Sequence, residues 1–498
     1  MNPVMNSTSP PAETVFTHYS PPTAFARRDA MIILLIAMIL GSALRFYRLG
    51  VEEMNRGEAA AWTAAVAPNL QAVFAESKVL DPGKSGIYDI VLHLWIAVVG
   101  DQVGPMRSLS AFCGTLSIVL LFAAVREILR SLDDEPDQSF ALSAGAFAAL
   151  FYATNLRMIT TDRIARMYPL MIVAIFGQLW CFARLHRRRS VPLIVGAALL
   201  TDLAVACNFT AMFFFAAEAL WLAYLYFVIT LRQQVVGLSV SRAASGLLLA
   251  AMLFLPIGLR DASIAVNTLH AGILGAIEPQ PPWWPIRAIQ VMTGNAAFWT
   301  AIALTILGVW IARRRQPFAI RFILCWLLLP FVMLEMISYL ITPLMVERYV
   351  LASLAAFLVL AAVGLATLPN VSIRYAIAIL IVGQSLAHVR HHWRAPEDVQ
   401  WREAAGFALG AVPEGQKIAV IPAEPVMVVR YYLPEPARDR AVAADAPADP
   451  QSRIKILRCG AEPLLIASTE LPRGSLPSIA ACYPHVLRRF RLVDVRGR

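Results

Sequence analysis

Charge is scarce in this chain. Asp, Glu, Lys and Arg make up only 15% of its 498 residues, while 58% are hydrophobic, and the mean hydropathy is +0.62. A soluble protein of this length carries far more charge on its surface, so most of this chain must be solvated by lipid. Also missing are a zinc-type cysteine spacing, a Walker loop and a GxGxxG fingerprint, and with them the usual sequence grounds for a zinc module, a P-loop nucleotidase or a dinucleotide enzyme. A secretory signal is lacking too. The first apolar run begins after Arg27-Arg28, and no small-residue cleavage site follows it.

The charge that is present leans basic, 43 Lys and Arg against 33 Asp and Glu. In a soluble chain that excess would suggest nucleic acid. In a membrane protein it marks cytoplasmic loops, which retain positive charge, so no nucleic-acid partner is expected.

Residues 1–28 are polar, rich in Pro, Ser and Thr and without periodicity, and read as a disordered cytoplasmic tail. Residues 29–392 read as a membrane domain. Its first span covers 30–46, and further runs of spanning length lie near 105–126, 139–156, 167–185, 191–207, 209–231, 243–259, 297–312, 320–341, 348–368 and 373–390. That makes about eleven crossings. Alternate loops carry Arg184 and Arg187–Arg189, then Arg232 and Arg242, then Arg313–Arg315 and Arg321, which places the N-terminus inside.

Two external segments exceed a simple connection. Residues 49–104 hold amphipathic stretches at Glu58–Phe74 and Tyr88–Val99, suited to helices lying on the membrane. Residues 260–296 hold Pro281-Pro282-Trp283-Trp284-Pro285, a rigid aromatic turn at headgroup level that serves as an anchor or as part of a substrate cavity. Beyond 392 the pattern changes. A helical stretch, Trp401–Val412, precedes short apolar runs at Ile418–Pro422, Val426–Leu433, Pro463–Ser468 and Phe490–Val495. Residues 393–498 therefore read as a small α/β domain, which an odd number of spans places outside the cytoplasm.

The chemistry concentrates in Leu49–Trp62, where Glu52, Glu53, Arg56 and Glu58 follow the first span directly. Carboxylates there lie at the interface or in a water-filled cavity. The plain alternative is a solvated loop capping a helix. A partly desolvated Glu58 would be a better base near neutral pH and a possible ligand for a divalent cation. Lys84, Arg107, Arg163, Arg166 and Arg348 all fall on the external side, and guanidinium groups suit phosphate oxygens. Single arginines there also read as headgroup contacts. Asp202, Glu218 and Glu335 lie inside spans and pair with neighbouring helices or act in function. His93, His388, His391 and His392 read as packed or interfacial.

Four motifs recur in order: Gly57-Glu58-Ala59; Tyr88…His93-Leu94-Trp95…Gly100 with Met106-Arg107-Ser108-Leu109-Ser110-Ala111; Ala165-Arg166-Met167-Tyr168; and Glu347-Arg348-Tyr349. Asp398-Val399-Gln400-Trp401-Arg402 opens the tail. In order and spacing this resembles the membrane-embedded GT-C glycosyltransferases, in the branch of protein O-mannosyltransferases and lipid A aminoarabinose transferases. The resemblance implies a mainly α, polytopic fold with a small extracytoplasmic α/β domain in a bacterial inner membrane. It implies transfer of a sugar from a polyprenyl-phosphate donor to a lipid, glycan or protein acceptor.

On this reading Glu58 is the base or metal ligand, Asp162 a second carboxylate, and the five basic residues hold the donor phosphate. Tyr88, Tyr168, Tyr349, Trp283 and Trp284 line the substrate cavity. The chain departs from the pattern in places. Gly57 stands where the family has the Asp of an Asp-Glu pair, Ile164 where it has Glu, and Ser85-Gly86 where it has Pro-Pro. A non-catalytic relative that binds or assembles lipid glycans is therefore the second reading. A secondary transporter is the third, without the inverted repeats it would favour.

Of the six cysteines, Cys113, Cys181, Cys207 and Cys325 fall in or beside spans as small buried hydrophobes. Cys459 and Cys482 are expected to form a disulfide in an oxidising compartment.

Overall fold

The computed structural model describes residues 24–394 except 82–83, 133–136, 189, 232–243, 254–279, 341–342 and 344. It also describes parts of 401–443 and three strands beyond. The tail at 1–23, most of the loop at 260–296, and Cys482 with its expected disulfide lie outside the described residues.

The protein is a helical membrane bundle. Among the described residues, seven helices are long and apolar enough to cross a bilayer: α1 (Ala24–Phe46), α5 (Val103–Ser131), α8 (Tyr168–Leu185), α10 (Ala211–Leu231), α13 (Asn295–Arg315), α14 (Pro317–Leu340) and α16 (Val371–Arg394). The pair α6 (Gln138–Thr154) and α7 (Leu156–Asp162) makes an eighth if taken as one span, bent by 64°. The bend falls at Asn155, whose Oδ1 caps α7 by accepting from Met158 N at 3.1 Å. Two of the remaining expected runs are shorter apolar helices, α9 (Val191–Cys207) and α15 (Leu351–Thr367), and the described part of the run at 243–259 holds α11 (Ala244–Leu253). Seventeen helical residues rise only about 26 Å, short of a hydrocarbon core of about 30 Å. Helix α1 also begins at Ala24, so Arg27 and Arg28 belong to it and not to the tail.

Burial separates the helices by role. In α15 every residue from Leu351 to Ala366 is buried, as expected of a helix apolar on all sides. It packs on α13 with almost no gap. A Cβ at Gly364 would stand 1.8 Å from the Leu304 carbonyl oxygen, and one at Gly308 2.6 Å from Gly364 N. Small residues permit this backbone approach. By contrast α1, α13 and α16 expose Ile39, Ile306 and Ile379, apolar surface fitted to acyl chains.

The segment after α1 forms three short helices, α2 (Arg56–Ala65), α3 (Leu70–Leu80) and α4 (Ile87–Val99). The stretch expected as one helix over 58–74 is broken where Asn69 caps α3 by accepting from Ala72 N at 2.9 Å. Past α16, the described positions between 401 and 409 are helical. The run at 426–433 folds as helix α17 (Val426–Tyr432), burying Val426, Val428 and Val429. Strands β1 (Ile418–Val420) and β2 (Ala441–Ala443) pair in parallel. Strands β3 (Leu457–Cys459), β4 (Glu462–Ala467) and β5 (Arg491–Asp494) form an antiparallel sheet.

Helix α17 docks on α2. Tyr432 Oη accepts from Met54 N at 2.8 Å, Tyr431 Oη donates to the Asp101 carbonyl at 3.0 Å, and Trp62 meets Tyr431 edge-on at 5.1 Å. The helices at 56–99 and the segment at 401–443 thus share one face of the bundle.

Candidate functional site

The connector between α7 and α8, Arg163–Met167, gathers the segment that follows α1. Arg163 Nη1 donates to the carbonyls of Leu44 (3.2 Å) and Tyr47 (2.6 Å), and its Nη2 to Glu52 Oε1 at 3.2 Å. Ala165 N donates to Glu58 Oε1 at 2.8 Å. Arg166 Nη1 donates to the Gly57 carbonyl at 2.8 Å, and its Nη2 to Asp81 Oδ2 at 2.7 Å. One short connector therefore fixes the exit of α1, the start of α2 and the end of α3.

Glu58, the expected base, is completely buried. Its Oε1 accepts from Arg107 Nε (2.7 Å) and Ala165 N (2.8 Å); its Oε2 accepts from Arg107 Nη2 (2.8 Å) and Asn55 N (3.1 Å). Asn55 Oδ1 accepts in return from Glu58 N at 3.0 Å, a capping box on α2. Four donors fill the acceptor capacity of a carboxylate. Glu58 in this arrangement has no lone pair for an incoming proton or cation, and its role here is to lock the loop. Arg107 completes the lock by donating to the Leu49, Glu52 and Glu53 carbonyls at 3.1, 2.8 and 2.9 Å.

Asp162 does not share that environment. It is buried against Gly114 and accepts from Arg45 Nε at 2.8 Å. Arg45 also donates to the Gly41 and Ala153 carbonyls, both at 3.1 Å. This pair ties α1 to the end of α7 and gives Asp162 a part in the frame.

The five expected phosphate ligands separate in the same way. Arg107 and Arg163 are committed to backbone and to Glu58 and Glu52. Lys84 is buried on Asp89, with Nζ 2.7 Å from Oδ2, and sits 3.8 Å from Asp81. Asp89 also accepts from Ser77 Oγ. Arg166 is bound in turn to the Gly57 carbonyl and Asp81, which leaves Arg348. Arg348 lies over the Tyr349 ring at 5.4 Å, is exposed, and has no ion pair among the described residues. Arg166 lies 6.0 Å from the centroid of the Tyr168 ring.

Asp81 is the group that sequence reasoning missed. Burial tends to raise its pKa, but Arg166, then Lys84 and Arg348, outweigh that effect and hold the carboxyl below its ordinary value. Its side chain retains 21% of its exposure, unlike Glu58 and Asp162. The available signal was Asp81 standing three residues before Lys84.

The aromatic residues also divide. Tyr88 is buried with its hydroxyl 3.3 Å from Ser110 Oγ; Gly86, at φ +92°, starts α4 just ahead of it. Tyr168 and Tyr349 stand by Arg166 and Arg348. Trp284 borders a separate cavity of about 300 Å³ with Arg287 and Glu347, and Glu347 pairs with Arg157 at 3.3 Å. Trp283 is exposed and does not line that cavity. His93 is packed, its Nδ1 2.7 Å from the Ala65 carbonyl, and Glu218 accepts from Gln178 across α8 and α10 at 2.8 Å.

A divalent cation does not fit these residues. Glu58 is saturated by N–H donors, Asp81 is bound by Arg166, and no three His, Cys, Asp or Glu side chains converge among the described residues.

This bundle, with short helices capping one face and α17 docked on them, is similar in fold to membrane glycosyltransferases of the GT-C type. The chain has the fold of ArnT from Cupriavidus metallidurans. Against ArnT bound to undecaprenyl phosphate the TM-score is 0.58, with 12% identity, covering 94% of this chain and 98% of ArnT. Against ArnT in the apo state it is 0.54, with 12% identity, covering 89% and 94%. The archaeal oligosaccharyltransferase AglB from Archaeoglobus fulgidus, in complex with an inhibitory peptide and a dolichol-phosphate, gives 0.49 with 12% identity, covering 82% of this chain and 64% of AglB. No family model and no curated protein matches the sequence.

Proposed function

We propose that the protein is an inner-membrane glycosyltransferase that moves a sugar from a polyprenyl-phosphate donor to a hydroxyl of a lipid, glycan or protein acceptor. The orientation that goes with this reading has about eleven crossings, the N-terminus in the cytoplasm, and the cap helices and C-terminal domain outside. The Arg166–Asp81 pair at 2.7 Å, with Tyr168 beside Arg166 and the charge of Arg348 also acting on Asp81, carries the proposal. The ArnT fold, seen with undecaprenyl phosphate bound, supports it.

In this reading Arg166 and Arg348 take the donor phosphate, with Lys84 adding positive potential from behind. Asp81 takes the acceptor proton as the acceptor oxygen bonds to the anomeric carbon. The bond from that carbon to the phosphate oxygen breaks, and polyprenyl phosphate leaves as an anion held by the two guanidinium groups. A carboxylate held below its ordinary pKa is a weak base. When the donor phosphate engages Arg166 it weakens that hold, so Asp81 becomes a stronger base once donor is bound. Glu58 and Asp162 keep the frame in register.

The test is binding of undecaprenyl phosphate to the detergent-purified chain, together with transfer in membranes supplied with undecaprenyl-phosphate sugars. Arg166→Gln and Arg348→Gln should each weaken binding. Asp81→Asn should spare binding and lower transfer by roughly 10²–10⁴. Full transfer by Asp81→Asn would remove Asp81 from the mechanism. A second reading, a lipid-glycan binding subunit without catalysis, is favoured by Gly57 and by the saturated Glu58. Tight undecaprenyl-phosphate binding with no transfer by the wild type would support it.

A further inference from the structure

A second cavity lies at the other end of the bundle. It holds about 770 Å³ and is framed by the starts of α1, α6 and α16 and the ends of α13 and α15. The cap helices follow the opposite end of α1, and Arg348 precedes the opposite end of α15. This cavity is therefore separate from the site described above.

Its walls are of two kinds. Deeper positions are apolar, among them Ile33, Phe147 and Ile311. The rim carries Arg314, Arg315 and Arg374. Two carboxylates are also present, and both are already engaged. Asp29 accepts from Tyr375 Oη at 2.8 Å, and Asp137 caps α6 by accepting from Phe140 N at 3.0 Å. Arg374 Nε donates to the Leu368 carbonyl, and Arg314 lies over Trp310 at 5.7 Å. None of the three arginines has a carboxylate partner within ion-pair distance among the described residues. Gln316 also lines the cavity. It is 2% exposed, and its Oε1 is buried with no hydrogen-bond partner. A buried amide oxygen left without a donor is costly.

We infer that this cavity is a headgroup site for a membrane phospholipid. The phosphodiester sits on Arg314, Arg315 and Arg374, and an ammonium or hydroxyl of the headgroup donates to Gln316 Oε1. Three observations point to a lipid and not to a free phosphate. The lining is apolar below and cationic above. The cavity opens among the ends of five apolar helices, α1, α6, α13, α15 and α16. The outer faces of α1, α13 and α16 beside it expose Ile36, Trp310 and Ile373, surface on which acyl chains can lie. The donor requirement separates headgroups. Phosphatidylethanolamine and phosphatidylglycerol carry an N–H or O–H, whereas the trimethylammonium of phosphatidylcholine carries neither.

Native mass spectrometry of the full chain, delipidated and then offered each lipid or inorganic phosphate, tests the site. Phosphatidylethanolamine or phosphatidylglycerol should be retained over phosphatidylcholine, and inorganic phosphate should not be retained. Neutralising Arg314, Arg315 and Arg374 to Gln should weaken retention about fivefold per arginine. Ser143→Phe, which fills the cavity without altering charge, should displace the lipid as well. The control neutralises Arg184, Arg187 and Arg188, which line a smaller cavity elsewhere; these changes should leave retention intact. Equal loss in the control, undiminished retention in Ser143→Phe, or binding of inorganic phosphate as tight as that of lipid would each overturn the assignment.

Discussion

The guanidinium of Arg166 lies directly on Gly57. A Cβ at position 57 would stand 3.1 Å from Arg166 Cζ and Nη1, and Nη1 already donates to the Gly57 carbonyl at 2.8 Å. The glycine is therefore not merely a lost carboxylate. It makes room for a cation whose other arm grips Asp81, so the acidic group paired with this arginine stands at the end of α3 and not at the start of α2.

Gly57→Asp should consequently impair the protein. The new side chain pushes Arg166 by a few tenths of an ångström and competes with Asp81 for it. Undecaprenyl-phosphate binding should fall, and Gly57→Ala should weaken it in the same direction but less. Folding should suffer little from the alanine, because losing glycine from a helix returns about 0.5–1 kcal/mol. Improved transfer by Gly57→Asp would mean that the site works better with the carboxylate at 57, and Asp81 would lose its assigned role.

Glu58→Gln should act on folding before it acts on chemistry. The substitution leaves Arg107 buried without a counter-charge, a loss of about 3–5 kcal/mol for breaking a buried pair from one side. Thermal unfolding in detergent should show the deficit. Pairing it with Arg107→Met should recover part of it, since coupled partners are not additive. A Glu58→Gln protein as stable as wild type but unable to transfer sugar would restore Glu58 as a catalytic group.

What could be read in the sequence was whatever lipid imposes on composition. Long apolar runs, arginine-rich loops and the break after α16 were visible, and each expected run holds a helix, seven of them of spanning length among the described residues. Spanning length was harder to read because 17-residue helices such as α9 and α15 are as apolar as their longer neighbours. The motifs were also visible, but not their roles. Glu58 and Arg107 are 49 positions apart, and Asp162 and Arg45 are 117 apart. A side chain that locks a loop and one that faces a substrate have the same letter. Burial and pairing distinguish them, and both belong to the fold. Asp81 was missed for the complementary reason: its importance comes from Arg166, which reaches it from 85 positions away.

Acid should probe Asp81. Its folded-state pKa is below its ordinary value, so the stability it contributes is present above about pH 4 and is lost as pH falls through that lower value. The difference in stability between wild type and Asp81→Asn should stay constant between about pH 5 and 7 and shrink below about pH 4. With donor bound, the acid limb of the turnover rate should lie above that of kcat/KM, because the phosphate competes for Arg166. Coincident limbs would argue that donor phosphate does not engage that arginine.

The contact between α13 and α15 offers a test of the frame itself. Gly364 meets the Leu304 carbonyl so closely that a methyl group would overlap backbone, with the added Cβ 1.8 Å from the oxygen. Backbone on both sides cannot yield as a flexible side chain would. Gly364→Ala must therefore separate the two helices. Overpacking a close-packed core costs about 1–3 kcal/mol, occasionally more, and a clash with backbone belongs at the upper end. Because α15 is enclosed along nearly its whole length, the displacement would spread to α6 and α14, which also pack on it. Gly383 in α16 is the matched control, since a Cβ there meets nothing within 4 Å. Alanine at 383 should leave yield and melting temperature unchanged or raise them slightly through helix propensity. Size-exclusion profiles of the two variants, expressed in parallel, give the comparison. Monodisperse protein with wild-type melting from Gly364→Ala would show that α13 and α15 do not approach as closely as described.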